Sequence, residues 1–74
     1  MYYNVHMLFG ENFKKYRLEA GLSQKQVAKM LDIYQSNISD WENDVSRPDY
    51  EKLIQLSKIY GCSVAELLGI EDII

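Results

Sequence analysis

Apolar residues recur along this chain at the spacing of a helix face, and no comparable run alternates with period two. Phe9, Phe13, Tyr16 and Ala20 stand at i, i+4, i+7 and i+11. Val27, Ala28 and Leu31 form a second stripe. Ile38 and Trp41 form a third, with Ile33 in the turn before it. Leu53, Leu56, Ser57 and Tyr60, flanked by Tyr50 and Ile54, form a fourth, and Val64, Leu67 and Leu68 a short fifth. Only Tyr3-Asn4-Val5-His6 looks strand-like. The punctuation agrees with the stripes. Ser23-Gln24-Lys25-Gln26 and Ser63-Val64-Ala65-Glu66 read as capping boxes. Asp49, after the single proline Pro48, suits an N-cap. Gly21 and Gly61 follow periodic segments, as helix C-terminal glycines do. The spacing predicts five short helices, over 8–20, 23–31, 34–43, 49–60 and 63–69, in one all-α domain. A chain of 74 residues buries only about 60% of its unfolded surface, so it must pack well or find a partner.

The informative stretch runs from Ser23 to Asn43. A nine-residue helical segment meets a three-residue connection, Asp32-Ile33-Tyr34, and a second helix begins at once. That spacing is a helix-turn-helix, formed by helices 2 and 3. Helix pairs with short turns are common, so the outer face of the second helix carries more weight. Gln35, Ser36, Ser39, Asp40 and Asn43 fall on one side, with Ile38 and Trp41 opposite. A merely solvated face would hold lysines and glutamates. This one holds amides and hydroxyls, which donate and accept at short range and suit base edges in a major groove. Glutamine pairs with adenine, serine with several bases, and aspartate accepts from cytosine.

At this point the chain resembles the lambda-repressor-like (Cro/repressor, XRE-type) helix-turn-helix proteins of bacteria and phages. The matching residues are Phe9 to Arg17, then Gly21-Leu22-Ser23-Gln24, Val27-Ala28, and Gln35 to Asn43. Arg47-Pro48, Leu53, Leu56, Ser57, Tyr60 to Ser63 and Glu66-Leu67-Leu68 follow in order. The resemblance covers about residues 8 to 69 and implies a five-helix DNA-binding domain. It implies that Gln35, Ser36, Asn37, Ser39 and Asp40 face the bases. Gln24 would contact a phosphate and brace the first residue of the recognition helix. Arg17 would pair with Glu42 inside the fold, and Arg47 would lie near the DNA backbone. Physical chemistry fits these roles. Unpaired amides at the start of helix 2 attract a phosphate without any lysine. Ser23 and Gln24 add polar contacts there, and Lys25 and Arg47 are expected to contact phosphates as well. An arginine fork suits a carboxylate bidentately. The chain also departs from the family pattern. Asp44 and Val45 stand where a glycine and a basic residue are usual, and Tyr34 replaces a small N-cap. No Lys or Arg lies between Lys29 and Arg47, so the recognition helix lacks a guanine-reading fork. Asp40 and Asp44 read as exposed acids at the edge of the reading surface. Asn43 or Asp44 is expected to take a left-handed backbone.

Other residues favour plain readings. Phe13, Tyr16 and Trp41 read as core. Cys62 reads as a small buried hydrophobe. His6 stands alone, so no metal site is expected, and no cofactor or small-molecule effector is evident. One cysteine allows neither a disulfide framework nor a cysteine zinc site. Residues 1–7 form an extension whose role the sequence leaves open: Met7 offers a second start, or the segment is an arm. Residues 70–74 form an apolar tail that either folds back on the core or pairs two chains. The expectation is a homodimer through Leu67, Leu68, Ile70, Ile73 and Ile74.

Net charge is −3, which looks adverse to nucleic acid. The distribution says otherwise. Residues 1–31 balance at +3, with Lys14, Lys15, Arg17, Lys25 and Lys29 against Glu11 and Glu19. Residues 32–74 balance at −6. There is no signal peptide and no run of 18 apolar residues, so a cytoplasmic protein is expected. No nucleophile–base pair, metal cluster or phosphate-binding glycine loop supports an enzyme. The sequence therefore predicts a small repressor-type regulator binding double-stranded DNA at a two-fold symmetric operator. The alternative is a protein-interaction module of the same fold, antitoxin-like or an antagonist of another regulator.

Overall fold

The computed structural model describes residues 8–70. Five helices follow one another: α1 (Gly10–Glu19), α2 (Gln24–Leu31), α3 (Gln35–Glu42), α4 (Tyr50–Tyr60) and α5 (Val64–Leu68). Among the described residues there is no strand. Tyr3 to His6, the strand-like segment, lies outside them.

Local chemistry starts and stops these helices where the sequence predicts. Ser23 and Ser63 each accept a backbone N–H three residues on, and Gln26 and Glu66 reach back to the cap amides. Asp49 accepts from the Lys52 amide at 2.8 Å and opens α4. Asp32 closes α2 in the left-handed region (φ 56), which an aspartate tolerates better than most residues. Asp44 takes the same conformation (φ 59).

The core is Phe13, Val27, Ala28, Leu31, Ile38, Trp41, Leu56, Tyr60 and Leu67, drawn from all five helices. α2 packs chiefly on α3, and α1 lies across α3 and α5. In α1 and its N-cap, Phe9, Phe13 and Tyr16 of the apolar stripe face the core, and Arg17 turns inward beside them. The buried residues of the helix are Gly10, Phe13 and Arg17, while Ala20 is exposed. The helix turns a charged residue inward because a partner waits there. Leu67 is 0% exposed within the single chain. The expectation that it joins a dimer contact is thereby corrected, since it has no surface to offer. Leu68 and Ile70 are half-buried, and Ile73 and Ile74 lie outside the described residues.

Tyr60 is buried within this core, and burial raises its phenol well above the usual range, with the charge of Glu42 adding to the effect. Its folded pKa thus exceeds its unfolded one, so that stability is intact below about pH 10 and falls as pH rises beyond it. Thermal melts taken from pH 9 upward should show this decline, and Tyr60→Phe should flatten it.

No helix among the described residues is long and apolar enough to cross a membrane. No group of three His, Cys, Asp or Glu among them is arranged to hold a metal.

Candidate nucleic-acid interface

The reading helix is held from behind by one ion pair. Arg17 donates from Nε to Glu42 Oε2 at 2.6 Å and from Nη2 to Oε1 at 3.0 Å. Its Nη1 donates to the Leu22 carbonyl at 2.9 Å. Both residues are buried. The hydrogen bonds to Glu42 raise the guanidinium pKa against the opposing effect of burial. The pair joins α1 to the end of α3 and, through Leu22, to the approach to α2.

A relay of amides leads from this pair to the surface. Gln24 donates from Nε2 to Glu42 Oε1 at 3.0 Å. Gln35 donates from Nε2 to Gln24 Oε1 at 3.4 Å. The direction is forced. A carboxylate only accepts, so Gln24 must turn its NH2 inward, which turns its carbonyl oxygen toward Gln35. Gln35 must then offer an N–H, and it keeps its own carbonyl oxygen and a second N–H for the outside. One donor beside one acceptor is the pattern that meets adenine N7 and N6.

Around Gln35 the outer arc is polar throughout. Gln35 and Ser36 are exposed, while Asn37, Ser39 and Asp40 are half-buried. Asn43 folds back and donates to the Ser39 carbonyl at 2.8 Å and to Ser39 Oγ at 3.3 Å. The Ser39 hydroxyl thus has an acceptor site engaged and keeps its proton to donate. Tyr34, the N-cap of α3, is 81% exposed and makes no capping hydrogen bond with its side chain. At the start of α2, Ser23, Lys25 and Gln26 are exposed and Gln24 is half-buried. Arg47 is exposed in the loop after α3, its guanidinium 5.2 Å from the centroid of the Phe9 ring.

Asp44 departs from the sequence reading. It is half-buried, and its Oδ1 accepts from the amides of Phe9 at 2.9 Å and Gly10 at 3.0 Å. It caps the start of α1, where a negative charge is favoured by the helix dipole. It is therefore not a free acid at the reading edge. No sequence signal links positions 34 and 35 residues apart in this way. The one hint was an aspartate where the family pattern has glycine. Cys62 is half-buried, and burial raises its thiol pKa, which suits a packing residue rather than a reactive thiolate.

Comparison with known proteins agrees with this geometry. A family model described as helix-turn-helix matches residues 13–67. The chain belongs to the helix-turn-helix family. Within that family its likeness is to lambda-repressor-like, XRE-type transcriptional regulators, which are not enzymes. The chain is 37% identical over 67 residues to the HTH-type transcriptional regulator ImmR of Bacillus subtilis (strain 168), covering 90% of this chain and 53% of that one. It is 34% identical over 61 residues to Repressor protein C2 of Salmonella phage P22, covering 82% of this chain and 28% of that one. The chain thus spans about half or less of these curated relatives. Among solved structures, the P22 c2 repressor in complex with synthetic operator 9T superposes with a TM-score of 0.78 at 32% identity, over 89% of this chain and all of that one. A transcriptional regulator from Listeria innocua gives 0.77 at 31% identity, over 88% and 61%. This helix-turn-helix domain thus shares the fold of a repressor solved on its operator.

Proposed function

We propose that this domain binds double-stranded DNA sequence-specifically, in the cytoplasm, as a transcriptional regulator of the repressor type. The observation that carries the proposal is the oriented relay Glu42–Gln24–Gln35, which leaves a donor and an acceptor of Gln35 facing outward beside Ser36. Asn37, Ser39 and Asp40 complete the base-facing set, with cytosine the natural partner of Asp40. Ser23, Gln24, Lys25 and Arg47 contact phosphates. The second amide proton of Gln24 and the backbone amides of Gln24 and Lys25, ahead of the capped Gln26 amide, serve there without a net charge. The solved complex of the P22 c2 repressor with an operator, 32% identical, supports the reading.

The experiment is selection of bound duplexes from a random pool at two salt concentrations. The selected half-site should contain adenine. Gln35→Ala should lose about 1–3 kcal/mol of discrimination at that base while leaving the melting temperature nearly unchanged. Full retention of base preference by this variant overturns the assignment of the reading helix. Affinity should fall steeply with salt in either case, because phosphate contacts supply it.

The same reading includes a homodimer, now limited to Leu68, Ile70, Ile73 and Ile74. Two-fold symmetry would set two reading helices about 34 Å apart and call for a symmetric operator. Sedimentation at micromolar concentration should return the dimer mass. A monomer at that concentration, with residues 70–74 intact, argues against it.

A further inference from the structure

The loop between α3 and α4, residues 43–49, carries Arg47 and is tied to the start of α1 at two points. Asp44 is the first, through its hydrogen bonds to the Phe9 and Gly10 amides. The Phe9 ring is the second, with the Arg47 guanidinium 5.2 Å from its centroid. The ring is itself fixed. It packs against the core, with its centroid 6.4 Å from that of the buried Phe13. Together with Phe13, Arg47, Pro48, Tyr50, Leu53 and Leu68 it lines an apolar groove of about 160 Å³.

An arginine on an exposed loop ordinarily samples many rotamers, and ordering it on binding carries an entropic cost. A rigid aromatic face removes part of that cost in advance, because the ring's negative face attracts the cation. The backbone side of the ring is anchored by Asp44, so the platform and the loop it serves are one unit. We infer that Phe9 is a positioning residue for DNA binding: its ring holds the Arg47 guanidinium beside the reading helix, in place to meet a backbone phosphate. The inference rests on the proposed phosphate contact of Arg47 and adds a residue outside the reading helix to it.

The test is a double-mutant cycle on a duplex of about 30 base pairs taken from the selection, at several salt concentrations and at a temperature where every variant is folded. Arg47→Ala should lower the slope of log affinity against log salt by about one unit. Phe9→Leu keeps an apolar side chain but removes the π face. It should weaken binding about two- to fivefold in the native background and leave binding unchanged when Arg47 is already alanine. Phe9→Tyr, which restores the ring, should bind like the native chain. Equal weakening by Phe9→Leu in both backgrounds, or failure of Phe9→Tyr to rescue, means that Phe9 acts only through the fold and overturns the inference. If Arg47→Ala changes neither affinity nor salt slope, the phosphate contact itself falls and the inference with it.

Discussion

Glu42→Ala should lower the stability of the domain by about 3–5 kcal/mol, measured by urea or thermal unfolding. The substitution leaves the Arg17 guanidinium buried without its carboxylate, and it also removes the acceptor of Gln24. A domain of this size is stable by only about 4–11 kcal/mol in all, so the variant sits near the edge of folding. Replacing both charges at once, as Arg17→Met with Glu42→Leu, should be milder than either single change, because no charge is then stranded. Glu42→Gln separates two roles of the carboxylate. It keeps an acceptor but gains an N–H, so the amide relay no longer has one forced direction. It should weaken base discrimination at the Gln35 position more than a change of melting temperature alone explains. A double variant less stable than Glu42→Ala would show that the pair is not the source of the effect.

Gly10→Ala is the second large effect, about 3 kcal/mol or more of destabilisation. A Cβ on Gly10 would stand 2.2 Å from the Glu42 carbonyl oxygen and 2.6 Å from its carbon. Both are backbone atoms at the end of α3, so no side chain can swing away to relieve the contact. The two helices must separate instead, and separation breaks the hydrogen bonds from Phe9 and Gly10 to Asp44. Gly61→Ala offers a contrast. Its Cβ would meet open space, and the cost there is the positive φ of 71° alone. Circular dichroism melts of the two variants should rank Gly10→Ala well below Gly61→Ala.

The helices were legible because their signals are local. Ser23 with Gln26, Ser63 with Glu66, and Asp49 before α4 each act within one turn, and the apolar period carries the rest. The core positions of α2 and α3 followed from the same period. At α1 the period placed Phe9, Phe13 and Tyr16 against the core, while the inward Arg17, which periodicity alone treats as outward, was legible only through the family resemblance. Only the presence of Glu42 across the fold makes its burial favourable. Asp44 was illegible for a related reason: its partners are amides that any sequence would provide, 34 and 35 residues away. Leu67 was misplaced because a short amphipathic helix shows an apolar edge but not which part of it meets the chain's own core. The polar arc of α3 was legible as residue types, and the forced orientation of its leading amide was not. That orientation needs a chain of three side chains, one on α2 and two at opposite ends of α3.

The tie between Asp44 and Phe9 also decides where the polypeptide enters the fold. Residue 9 sits against the loop that carries Arg47, so anything fused upstream of it issues at that corner. The native sequence upstream, Met1 to Met7, contains no Lys or Arg. A polyhistidine or basic purification handle at this end would place added charge next to the loop and flatter the measured affinity, most of all at low salt. Binding constants for this protein are best taken after such a handle has been cleaved.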